Sequence, residues 1–172
     1  MTVAQAWKEY LAKVNDLAEG RSLGLLPAAS QMEIEECEQA IGVSLPEGLK
    51  EIYRVNNGQE VSHFAVFPEA HEFLPLKDMT LVWRQLSEAR SQEPRFLWHP
   101  NWVPFAQTVG GGVLCCVCSS TGSNVVQFYP ESERERVASE SVGNYIMELS
   151  RDVDQGRLAL DANNSCLSYE KA

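Results

Sequence analysis

The hydrophobic period of this chain changes near Val61, and that change restricts the fold more than any other feature of the sequence. Upstream, apolar residues recur at helical spacing. Trp7, Leu11, Val14 and Leu17, with charged residues between them, predict an amphipathic helix over residues 3–19, ended by Gly20. Ser30 stands three residues before Glu33, the spacing at which the two side chains cap each other's exposed amides, so a second helix begins there. Ile34, Cys37 and Ile41 form its inner stripe and Gly42 its stop. Leu45-Pro46 opens a third, short helix, because the fixed φ of proline suits a first turn. Leu49, Ile52 and Tyr53 face inward, and Asn56-Asn57-Gly58 supplies a left-handed closing residue.

Downstream the pattern is that of strands. Residues 64–67 and Phe73-Leu74 read as short strands broken by Pro68 and Pro75. A fourth helix is expected after Asp78, an N-cap type, carrying Met79, Val82, Trp83 and Leu86 on one side, and the polar run 87–95 reads as a surface loop. Residues 103–107, 113–118 and 124–129 are rich in β-branched, aromatic and Cys residues and are separated by Gly110-Gly111-Gly112 and by residues 119–123, which predicts antiparallel hairpins. A short strand near 136–138 follows. Ser139 then precedes a last helix with Val142, Tyr145, Ile146, Leu149 and Val153, and residues 158–160 and 167–169 flank an Asn163-Asn164 turn. Helices, a block of strands with one inserted helix, and a closing helix make an α+β layout with an antiparallel sheet. With 172 residues and neither a repeat nor a low-complexity linker, residues 1–172 read as one domain, able to bury roughly 70% of its unfolded surface.

Charge narrows the partners. The net charge of -10 sets the chain against nucleic acids and anionic membranes and toward a basic protein partner, although acidity also serves solubility alone. Trp7 and Glu9 stand where an export signal would carry its apolar run, and the five cysteines, an odd number with Cys115, Cys116 and Cys118 crowded together, suit reduced thiols. A cytoplasmic protein is expected, a monomer or weak homodimer.

Catalytic chemistry is thinly represented. The histidines are His63, His71 and His99, and none sits in a catalytic signature. Cys116 and Cys118 project from one face of their strand and Cys115 from the other, short of the four ligands of a structural zinc site, so packing as small hydrophobes is the stronger reading and neither metal nor cofactor is expected. The glycine triplet precedes a strand, whereas phosphate cradles precede a helix. Trp98 and Trp102 flank Pro100 in a loop, where aromatics are either core plugs, the commoner case, or binding anchors. Trp98, His99 and Trp102 are therefore the candidates for the centre of a partner interface. Glu131, Glu133 and Glu135, at a hairpin end, are the candidates for its acidic rim.

Residues 34–58, with Ile41-Gly42-Val43-Ser44-Leu45-Pro46-Glu47 at their middle and Asn57-Gly58 at their end, resemble the opening motif of the SUKH superfamily. That superfamily includes the fungal Smi/Knr cell-wall assembly regulators and many bacterial toxin-immunity proteins. Trp98-His99-Pro100-Asn101-Trp102-Val103-Pro104-Phe105-Ala106, followed by residues 110–115, is similar to the bacterial Smi/Knr-like branch, and the likeness extends over residues 26–155. The resemblance implies a bent, largely antiparallel sheet and no conserved chemistry. Where relatives often carry an acidic residue after the strand beginning at Leu114, this chain reads Cys116-Val117-Cys118-Ser119. Together with the charge, the resemblance implies a non-catalytic domain that neutralises a cognate protein toxin by binding it, with a Smi/Knr-type regulator or scaffold as the alternative.

Overall fold

The helices begin where side chains satisfy their first amides. Thr2 Oγ1 accepts from Gln5 N at 3.1 Å while Gln5 Oε1 accepts from Thr2 N at 2.8 Å, and Ser30 and Glu33 repeat the exchange at 3.1 and 2.7 Å. These boxes start α1 (Val3–Leu17) and α2 (Gln31–Ile41), and Gly42, at φ +68°, closes α2. The computed structural model describes residues 1–120 and 122–170. Among them follow α3 (Glu47–Tyr53), β1 (Glu72–Phe73), α4 (Leu76–Gln92), β2 (Trp102–Gln107), β3 (Val113–Val117), β4 (Val125–Tyr129), β5 (Arg134–Ser139), α5 (Val142–Asp154), β6 (Leu158–Asp161) and β7 (Cys166–Tyr169). Strands β1 to β5 form one antiparallel sheet in sequence order, and β6 and β7 form a separate antiparallel hairpin. The expected α+β class is therefore what is found, with the β6–β7 hairpin added after the last helix.

Strands β2 and β3 are buried on both faces, and the alternation along the sheet divides the interior in two. Leu114, Cys116 and Val125 face the larger core, built with Trp7, Tyr10, Ile34, Leu49, Ile146 and the other inward residues of α1, α2, α3 and α5. Val113, Cys115, Val126 and Phe128 face a smaller core shared with Val82, Trp98 and Trp102. A register shift between Pro104 and Ala106 brings Phe105 and Ala106 both into the larger core. The expectation that Cys115 opposes Cys116 and Cys118 holds: Cys118 packs against the larger core with Cys116.

Five local readings are corrected. Residues 64–67 form no strand. They are buried, but Gln59 occupies their backbone, its Nε2 donating to Phe64 O at 2.8 Å and its Oε1 accepting from Val66 N at 3.2 Å. Gln59 also donates to Leu23 O and accepts from Phe73 N, so one buried amide ties four segments together. Helix α4 starts at Leu76 with Pro75 as its N-cap, not after Asp78, because the buried Leu76 and Met79 extend the apolar stripe back to the proline. It runs on to Gln92, so the polar run from Ser87 is largely the solvent face of a helix. The last helix is capped by Ser141, whose Oγ accepts from Asn144 N at 3.1 Å, while Ser139 ends β5. Finally, α3 ends at Arg54 in a right-handed conformation; Gly58, at φ +77°, serves a close backbone approach instead.

Candidate interaction surface and polar cleft

The loop between α4 and β2 is fastened from two sides. From α4, Arg90 donates to Phe96 O at 2.6 Å, Trp83 Nε1 to Pro100 O at 2.8 Å, and Ser87 Oγ accepts from Trp98 Nε1 at 3.2 Å. From the β4–β5 turn, Glu133 Oε1 accepts from Leu97 N at 2.9 Å. The aromatic segment and the acidic hairpin, far apart in sequence, thus meet in space. Glu135 lies opposite Phe128 in the register, on the face that carries Trp98 and Trp102.

The tryptophans themselves point inward. Trp98 is wholly buried and Trp102 nearly so, their rings edge-on at 5.7 Å and packed on Phe128 at 6.0 and 5.6 Å. Neither can touch a partner without opening the smaller core, so as interface anchors both are corrected to core plugs. His99 remains exposed over the Trp102 ring at 4.7 Å. Glu131, Glu133 and Glu135 are exposed, but Arg134 and Arg136 alternate with them, so the rim is of mixed charge.

A second feature escaped the sequence reading. A cleft of about 420 Å³ opens between α5 and the sheet. Its floor follows from the strand register: Leu114, Gln127 and Arg136 are neighbours across β3, β4 and β5 and share one face. Its wall follows from helical spacing, since Tyr145, Glu148, Leu149 and Asp152 fall on one stripe of α5. The turn Pro68, Glu69 and His71 closes one side with Tyr169 of β7, held there by the Glu69 N to Leu167 O bond at 2.8 Å. Glu69 and Ala70 both take positive φ, a conformation costly for residues with a Cβ. Tyr169 donates to Asp152 at 3.0 Å, and Arg157 pairs with the same carboxylate. Burial, then the hydrogen bond to Asp152, pushes the Tyr169 phenol well up, and burial does the same to Tyr145. The one legible hint was that Glu148 and Asp152 border the apolar stripe of the last helix.

His71 is the buried base of this cleft. Its Nδ1 lies 2.8 Å from Pro68 O and must carry the proton of the neutral ring, while Nε2 has no partner among the described residues. Burial holds its pKa below the usual imidazole value, the Pro68 bond only partly opposing this. The unfolded chain binds that proton more readily, so the contribution of His71 to stability is present above about pH 6.5 and is lost as pH falls below it, by at most about 1.4 kcal/mol per pH unit. Chemical denaturation at pH 7.5 and 5.5 should therefore show a smaller acid-induced loss in His71→Gln than in the unmodified chain. Equal losses would contradict this account.

A sequence profile of the SMI1 / KNR4 family (SUKH-1) matches residues 28–148, more than half of the chain. The chain belongs to that family. The SMI1 / KNR4 match runs from α2 into the middle of α5, and so includes the aromatic loop and, of the cleft wall, Tyr145 and Glu148. No curated protein matches the chain. No helix among the described residues is long and apolar enough to cross a membrane.

Proposed function

We propose that this chain is a non-catalytic protein-binding domain, a bacterial immunity protein that neutralises a cognate toxin by binding and occluding it. Membership of the SMI1 / KNR4 family carries the reading, and the net charge of -10 supports a partner with a basic surface. The thiols support a role without nucleophilic chemistry. Burial pushes Cys37, Cys115 and Cys166 above the ordinary thiol range, and the Cys118 thiol together with burial does so for Cys116, so thiolate is scarce at neutral pH. A Smi/Knr-type regulator or scaffold, in cell-envelope or signalling pathways, is the second reading, favoured by the same family match; a toxin encoded beside the chain distinguishes the first.

Steering by charge makes a measurable claim. An interface of standard size buries on the order of 1,600 Å². Exposed rim charges act on the association rate, whereas buried central contacts act on dissociation. Replacing Glu131 and Glu135 with lysine should slow association with the toxin severalfold at low salt and much less once the screening length shortens to about 8 Å. Glu133→Lys belongs in a separate variant, because that carboxylate also holds Leu97 N. Stopped-flow rates indifferent to both salt and charge reversal would remove the electrostatic part of the proposal.

A further inference from the structure

We propose that the cleft between α5 and the β3–β4–β5 face receives one cationic side chain, a lysine or arginine, projecting from the bound protein partner. The inference rests on reading the chain as a protein-binding domain, and it names the chemistry by which one part of the surface would recognise its partner.

Three observations converge. First, the charged residues lining the cleft are Glu69, Glu148, Asp152 and Arg136, three carboxylates against one guanidinium. Arg136 is partly engaged, donating to Gln127 Oε1 at 3.1 Å, and Asp152 is shared with Arg157 and Tyr169. Glu148 carries no ion pair or hydrogen bond among the described residues, although it sits half-buried on the wall. Its oxygens are therefore open to a donor, and an incoming cation would pair with them.

Second, His71 adds an acceptor of a specific kind. His71 lines the cleft and is itself wholly enclosed; with Nδ1 donating to Pro68 O, the neutral ring keeps at Nε2 a lone pair that no group among the described residues satisfies. Burial keeps the ring neutral near pH 7, so Nε2 calls for an N–H or O–H donor. An ammonium or guanidinium supplies several such donors on one charged group.

Third, the shape fits a side chain better than a flat surface. About 420 Å³, with the apolar Leu114, Ala138 and Leu149 beside the polar groups, offers lining for the methylene stem as well as for the charged head.

The test needs no toxin, so its failure and the failure of the binding proposal are separable. The full chain, labelled with ¹⁵N, is titrated with Nα-acetyl-lysine methylamide and Nα-acetyl-arginine methylamide while the imidazole and backbone signals of His71 and α5 are followed. The neutral norleucine analogue and sodium acetate serve as controls. Saturable shifts centred on His71, Glu148 and Asp152 are expected with the two cations and not with either control. Glu148→Gln should weaken the response about tenfold, the scale of one charge-assisted hydrogen bond, while leaving the chain folded. Equal shifts with norleucine or acetate, or an unchanged response in Glu148→Gln, would overturn the proposal. So would tighter binding of free putrescine than of either amino-acid probe, which would assign the cleft to a small diamine.

Discussion

Truncating Trp98 to alanine is expected to lower the unfolding free energy by about 3–5 kcal/mol. Its ring is wholly enclosed, lies edge-on to Trp102 at 5.7 Å and packs on Phe128, and its indole N–H is satisfied by Ser87. Removing it leaves a cavity at the centre of a core with few other large side chains, and it frees the loop that Arg90, Trp83 and Glu133 hold in place. A native domain is stable by only about 5–15 kcal/mol, so the loss should appear as a fall in Tm on the order of 10 °C. Urea unfolding of the variant beside the unmodified chain measures it. A change below about 1 kcal/mol, with partner binding abolished, would restore Trp98 to the surface role and contradict the packing described above.

Gly58→Ala should be at least as damaging. At φ +77° the residue is left-handed, and a Cβ built there would meet Pro75 N at 2.3 Å and the Leu74 carbonyl carbon at 2.6 Å, both backbone atoms that no rotamer change can move. The two chains must part, and Gln59, whose amide joins four segments, is carried away with them. A loss above about 3 kcal/mol is expected, seen as little soluble protein or a collapsed unfolding transition. Gly42→Ala provides the comparison. It shares the left-handed backbone, at φ +68°, but a Cβ there meets nothing within 4 Å, so only the conformational penalty of about 1–2 kcal/mol applies. Similar losses at the two positions would show that close approach is not what Gly58 provides.

The sequence was most informative where structure is decided within a few residues. The Ser30 and Glu33 exchange, the Gly42 stop and the stripes of Trp7, Leu11 and Val14 or Ile34, Cys37 and Ile41 all depend on neighbours three or four positions away, and they stand as expected. Hairpins were legible for the same reason, since each strand pairs with the next. The resemblance drawn over residues 26–155 agrees closely with the matched residues 28–148. Readings failed where a distant group intervened. Residues 64–67 have strand composition but lose their ladder to Gln59, and the far end of α4 looks like a loop because its polar residues face solvent. The site was harder still. Trp98 and Trp102 could be recognised as either plugs or anchors, and only the Phe128 face of a strand some twenty-five residues on decides between them. The cleft draws on the 68–71 turn, three strands, α5 and β7, so no local pattern could announce it.

The proposed function meets its most direct test in co-expression of the full chain with any toxin domain found encoded beside it. If this SMI1 / KNR4 family member is an immunity protein, cells carrying both should survive where cells carrying the toxin alone die, and the two purified chains should elute together as a stable complex. Cell death despite full expression of both chains, with no complex when they are mixed, would contradict the assignment.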